Sequence, residues 1–254
     1  MLSARKQHCL DRMGIISWIP FDKKVLASEV TPPVKQITPE PLPIESKPVL
    51  VPASAFVEQA EKRVILKNYD LDNWADTQLA IEACKNCELA ESCTRKVPGK
   101  GNAHADLMII GEAPGHDEDV QGLPFVGRAG QLLDRILGTI GLNSQDVFIT
   151  NILKCRPPNN RDPKHHEADA CAQFLHAQIQ LIKPKIILSV GRISAQTLLK
   201  DSKPLGQLRS TLHQLPNTDI PLLVTYHPSY LLRNPAEKVK VWHDIKMLQK
   251  QLKF

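Results

Sequence analysis

The stretch "DLMIIGEAPG", residues 106–115, joins an apolar run to a turn bounded by glycine and proline. Its apolar residues follow one another without the polar alternation of a half-exposed strand, so the run fits a strand buried on both faces. Three further runs share this character: "DVFITN" (146–151), "KIILSV" (185–190) and "PLLVTY" (221–226). Between them lie "GQLLDRILGTIG" (130–141), "HHEADACAQFLHAQIQLI" (165–182) and "RISAQTLLK" (192–200), each apolar at helical spacing, and a last helix is expected over 236–252. This alternation predicts an α/β fold, with three α/β/α layers around four parallel strands joined by right-handed crossovers. In such sheets ligands bind beyond the carboxyl ends of the strands. There the chain leaves into four distinctive peptides: "GEAPG", "NILKCRPP", "GRISA" and "HPSYLLR".

Upstream the composition changes. Residues 20–52 hold eight prolines and no glycine, with no sustained period of 3.6 or 2, and read as an extended linker. The first twenty residues fit a short helix or a docking peptide. A helical pattern covers 53–69, and a second starts at Asp72 as N-cap and runs to about Ala83. The expected division is an N-terminal extension, 1–70, largely linker or disordered, and a domain over 71–254. No stretch reaches the ~20 apolar residues of a membrane span. No small-residue cleavage signal follows the first twenty residues, so the cytoplasm is the expected compartment. The net charge of +5 is unevenly spread. Residues 71–182 carry 10 Lys and Arg against 15 Asp and Glu, whereas 183–254 carry 12 against 4. A basic final third suits a surface facing a polyanion.

The stretch following the first strand, "GEAPGHDEDVQGLPFVGRAG" (111–130), is not a phosphate loop. It lacks G-x-x-x-x-G-K-[ST] and G-x-G-x-x-G, and its acidic residues repel phosphate. A pocket for a neutral planar ligand fits better. Phe125 offers an aromatic face, although by itself it is better explained by core packing. Asn151, at a strand end, offers both donor and acceptor, or caps a turn. His227 precedes Pro228 after the last strand, where a histidine is well placed for catalysis. Stacking, edge recognition and stabilisation of a leaving group are what an enzyme reading a flipped base requires.

Six cysteines occur, at 9, 84, 87, 93, 155 and 171. "CKNC" at 84–87 ends a helix with no strand before it, which argues against a thioredoxin-like site and points to metal. With Cys155 and Cys171 it can close a four-thiolate site for zinc or an iron–sulfur cluster, and Cys93 competes as a ligand.

Five peptides, in order, resemble one family: "CKNCELAESC", "GEAPGHDEDVQGLPFVGRAGQLLD", "TNILKCRPPNNRDP", "LSVGRISAQTLL" and "HPSYLLRNP". Together they resemble the uracil-DNA glycosylase superfamily, specifically its iron–sulfur family 4, over about residues 72–254. The resemblance implies hydrolysis of the N-glycosidic bond of uracil in DNA, leaving an abasic site. It places Glu112 at the catalytic loop beside water, within a substrate wall of Gly111, Ala113, Pro114 and Gly115. By the same resemblance Glu118 lies at the uracil C5 edge and obstructs a thymine methyl, Phe125 stacks on the base, and Asn151 bonds its Watson–Crick edge. His227 donates to O2 as negative charge develops. The implied [4Fe–4S] ligands are Cys84, Cys87, Cys155 and Cys171, leaving Cys93 spare. Ser229, Tyr230, Leu231 and Arg233 are the implied DNA contacts, with Tyr230, Leu231 or Leu232 wedging into the stack.

Family 1 carries an Asp at the third position of the first motif, where this chain has Ala113. Family 5 is expected to read "GEAPA", and the covalent branch "GEQPG" with a basic insert; neither is present. The expected partner is uracil-containing DNA, bound by a monomer without a membrane, with the N-terminal extension available to a replication or repair partner. Two rivals share these features: a non-catalytic iron–sulfur nucleic-acid-binding protein of the same fold, and a zinc-stabilised α/β enzyme.

Overall fold

The computed structural model describes residues 69–252. The linker over 20–52, the helix expected over 53–69 up to its last residue, and nearly all of the extension therefore lie outside the described residues.

The first described helix, α1 (Trp74–Ala83), is capped by Asn73, whose side chain accepts from the amides of Ala75 and Asp76. The cap is thus one residue later than the Asp72 expected. A short helix α2 (Leu89–Ser92) and a two-residue strand β1 (Lys100–Gly101) follow. Then comes the alternation read from the sequence: β2 (Leu107–Gly111), α3 (His116–Gln121), α4 (Arg128–Gly138), β3 (Val147–Asn151), α5 (His165–Ile182), β4 (Ile186–Val190) and α6 (Arg192–Leu199). The chain finishes with α7 (Leu205–Leu208), β5 (Leu212–Gln214), β6 (Pro221–Thr225), α8 (Pro228–Arg233) and α9 (Lys238–Leu252).

The strands form one mixed six-stranded sheet in the order β1-β3-β2-β4-β6-β5. This corrects the expected four-stranded parallel sheet. β3, β2, β4 and β6 pair in parallel, but β1 and β5 close the edges antiparallel to their neighbours. Edge strands of two and three residues carry no readable period, which is why the sequence did not announce them.

Alternate residues of the buried strands face two cores. Leu107 and Ile109 of β2 join Val147, Ile149, Leu188 and Leu223 against α4 and α9. Met108 and Ile110 join Phe148, Ile187, Leu222 and Val224 against α5 and α6. The helices meet these faces with spaced apolar residues, such as Val241, Ile245 and Leu248 of α9. Each such aliphatic side chain withdrawn from water contributes roughly 1.5–3 kcal/mol. The two cores fix the sheet, and the sheet fixes its four parallel strand ends on one rim.

Candidate active site

A cavity of 450 Å³ opens at that rim, with walls drawn from the exits of all four parallel strands: Glu112 after β2, Asn151 at the end of β3, Gly191 after β4 and His227 after β6. Its place is the one expected for α/β sheets, where the chain, having paired β3 on one side of β2, crosses to place β4 on the other. A larger groove of 1190 Å³ lies between α5, α6 and the β5–β6 turn, but no buried polar atom lacking a partner lines it.

The base of the cavity depends on a missing side chain. A Cβ on Gly111 would sit 2.3 Å from Asn151 Oδ1 and 2.9 Å from Phe125 Cζ, so only glycine lets these two groups converge. The β2 and β3 exits are tied together by Ile152 N–H to the Gly111 carbonyl (2.9 Å) and Leu153 N–H to the Glu112 carbonyl (3.0 Å). Asn151 is 2% exposed, and its Oδ1 has no hydrogen-bond partner among the described residues. An unsatisfied buried acceptor costs about 1–3 kcal/mol, which a ligand donor in the cavity would recover.

His227 is the residue before α8. Its Nδ1 accepts from the Ser229 backbone N–H at 3.2 Å and lies 2.7 Å from Ser229 Oγ. A backbone amide can only donate, so Nδ1 carries the lone pair and the ring proton sits on Nε2. Burial, reinforced by the Arg233 charge, pulls the imidazole down to about 4, which keeps it neutral at pH 7. Its ring lies 5.6 Å from that of Phe125, tilted by 34°. The site thus holds a neutral donor beside an aromatic wall.

Glu112 is partly buried on the opposite wall. Burial, with the nearby Asp162 charge adding to it and Arg192 opposing it, pushes this carboxyl up to about 7. Arg192 and Asp162 themselves pair at 2.6 Å. Ala113, Pro114, Gly115 and Glu118 also line the cavity. The Glu118 carboxylate is already engaged: Oε2 accepts from Gly115 N–H (3.1 Å), and Oε1 from Val126 (3.0 Å) and Gly127 (3.1 Å).

Sequence reasoning missed Asn160, Arg161, Asp162 and Arg192 as site residues. Asn160, Arg161 and Arg192 line the cavity. The loop that supplies the first three is held to the first turn of α5 by Arg161, whose guanidinium grips both oxygens of Glu167 at 2.9 and 2.5 Å. The signal was the charge in "NNRDP", which lies within a peptide quoted for the family resemblance but was given no role at the site.

In "HPSYLLR", Ser229, Tyr230 and Arg233 reach the cavity. Tyr230 also stacks on Tyr226 with centroids 4.9 Å apart. Leu231 does not reach it. That residue is 0% exposed, packed in the core beneath α8, which corrects its reading as a DNA contact. Its neighbour Leu232 is 37% exposed.

The cysteines gather behind the Glu112 wall. Cys155 and Cys171 are buried with Leu89 and Leu153, and Cys87, Cys93 and Ala113 pack against them. Cys84 is buried with Phe174. Burial pushes up the thiols of Cys84 and Cys87, and that of Cys171 to about 11, so thiolates here need a positive partner. Cys93 is no bystander: it packs against Cys155 and Cys171, and its thiol donates to the Ala90 carbonyl at 4.0 Å. Among the described residues no three of these sulfurs lie within 4.8 Å of one another. A tetrahedral zinc, with Zn–S near 2.3 Å, needs sulfurs closer than that, at about 3.8 Å.

The family model for the Uracil DNA glycosylase superfamily matches residues 98–246. The chain belongs to that superfamily. Within it, a type-4 uracil-DNA glycosylase of Archaeoglobus fulgidus is 36% identical over 184 residues, covering 70% of this chain and 92% of the relative. The type-4 uracil-DNA glycosylase of Pyrobaculum aerophilum is 42% identical over 173 residues, covering 66% and 88%. A type-5 uracil-DNA glycosylase of Thermus thermophilus is 32% identical over 120 residues, covering 41% and 54%. The superfamily segment contains all four strand-end peptides with Cys155 and Cys171, while Cys84 and Cys87 precede it.

Proposed function

We propose that this chain is a uracil-DNA glycosylase of the type-4 kind, which removes uracil from DNA and leaves an abasic site. The observation that carries this reading is the pairing, across one cavity, of an unsatisfied Asn151 acceptor with a neutral His227 whose proton is on Nε2. Uracil offers an N3–H donor to that acceptor and an O2 carbonyl to that proton.

In the reaction the bond between N1 and the sugar C1′ breaks with its electrons going to the base, and an oxygen–C1′ bond to water forms. Uracil leaves as an anion whose charge spreads onto O2. A neutral imidazole donor there strengthens its hydrogen bond as the charge grows, and one such donor contributes roughly 3 kcal/mol of transition-state stabilisation. Phe125 supplies the stacking face, and Asn151 reads the edge. With Ala113 lacking a carboxylate, Glu112 is the acid nearest the water side, and its ionised form orients the nucleophile and accepts its proton. Glu118 contributes to selectivity against thymine by fixing the cavity wall around Gly115, Val126 and Gly127. Ser229, Tyr230 and Arg233 meet the DNA backbone at the mouth, with the exposed Leu232 beside them.

The buried sulfur set fits a [4Fe–4S] cluster held by Cys84, Cys87, Cys155 and Cys171. When bound, such a cluster supplies cationic charge to otherwise disfavoured thiolates and ties α1 to the β3 exit and α5. Protein purified without oxygen should absorb near ~400 nm and contain iron; colourless, zinc-loaded protein would overturn this assignment. The glycosylase reading is tested on a uracil-containing oligonucleotide treated with alkali after incubation. Strand scission at the uracil is expected. Intact strands at every enzyme concentration would leave only DNA binding without catalysis.

A further inference from the structure

Phe125 sits in a backbone conformation that its side chain disfavours, with φ at +51°. Three features hold it there. The Lys100 ammonium donates to the Phe125 carbonyl at 3.1 Å. Glu118 Oε1 accepts from the two amides that follow, Val126 and Gly127. Gly130 leaves room for that same carbonyl, since a Cβ there would lie 1.9 Å from it. The peptide after the aromatic ring is therefore clamped between a cation on its carbonyl and an anion on its amides. Lys100 stands on β1, where it pairs with Ile149 of β3, two residues before Asn151. The clamp thus refers the ring to the strand that presents the base-reading amide.

We propose that Lys100 is a positioning residue for base excision, acting with Glu118 through the Phe125 peptide to set the angle of the stacking ring. This rests on the reading of Phe125 as the face that stacks on uracil. Its ammonium is turned inward onto a carbonyl rather than outward as a free phosphate contact.

The test is single-turnover uracil release by wild type, Lys100→Met, Phe125→Ala and the double variant, with thermal unfolding recorded for each. Lys100→Met should slow release about tenfold, the scale of one charge-assisted hydrogen bond, with Lys100→Arg recovering most of the rate. In the Phe125→Ala background Lys100→Met should have no further effect, because the group it positions is gone. Equal losses in both backgrounds, as a phosphate contact or a general loss of stability would give, overturn the proposal, as does a wild-type rate for Lys100→Met. If Lys100→Met does not fold, Lys100→Gln is measured in both backgrounds against the same criteria. A wild-type rate for Phe125→Ala alone would instead remove the stacking role. Slow release by Phe125→Ala with Lys100→Met unaffected removes only the clamp.

Discussion

Burial drives two ionisable groups of the pocket, His227 and Glu112, toward neutrality, with different consequences. His227, drawn from 6.5 to about 4, is neutral throughout the physiological range. Glu112, raised from 4.5 to about 7, is only partly ionised there. If ionised Glu112 orients water, the rate of uracil release should rise as pH increases through about 7, and Glu112→Gln should be slower and lose that limb. A pH profile unchanged in Glu112→Gln would remove it from this job. Stability has the opposite sign. A carboxyl whose folded value is raised favours the folded state fully below 4.5 and loses that contribution as pH rises through about 7. Glu112→Gln should therefore gain melting temperature relative to wild type at pH 8 and not at pH 4. Asn151 and His227 were legible in the sequence because strand ends in α/β sheets select for function. Glu118 was legible as a site residue, but its bonds to the amides of Val126 and Gly127 were not, since they depend on how the loop over 122–127 folds back. Lys100 carried no signal at all, because only tertiary contact brings it to the loop that shapes the pocket.

Within α8, two adjacent leucines divide structural and surface roles. Pro228 starts the helix at its first position, and one turn later Leu231 faces the core while Leu232 faces outward. Leu231→Ala should cost about 2–5 kcal/mol of stability through the cavity it leaves. Leu232→Ala should leave the melting temperature nearly unchanged and weaken engagement of uracil-containing DNA. Calorimetry and DNA titration together check the pair, and the reverse pattern would exchange their roles. The helix before Asn234 was readable as a motif, but which leucine turns inward depends on the pitch set by Pro228, which apolar character alone does not encode. The same limit applied at the N-terminus of α1, where Asp72 and Asn73 are both good caps and only the backbone geometry selects Asn73.

Across the whole molecule, the central strands were legible because each is apolar on both faces, and the pocket follows from where they end. What the pattern did not show is the link between the pocket and the sulfur set. Lys154, 2% exposed, lies between them. Its ammonium bonds Thr150 Oγ1 (2.7 Å), the Asn151 carbonyl (2.8 Å) and Gln178 Oε1 (2.8 Å), and Gln178 in turn holds the Pro98 carbonyl at 2.7 Å. A lysine in "NILKC" reads as a surface charge until the fold encloses it. A second anchor, Arg209 to Asp244 at 2.6 Å with Thr225 also bonded to Asp244 at 2.7 Å, fixes α9 to the end of β6 just before His227. The scaffold thus holds Asn151 and His227 from opposite sides of the sheet. The most direct test is single-turnover release of uracil by wild type and His227→Ala at saturating enzyme, with DNA affinity measured alongside. A loss of about a hundredfold or more in rate with affinity nearly retained is expected for a donor that acts on the departing base. Equal loss of rate and affinity, or an unchanged rate, would contradict it.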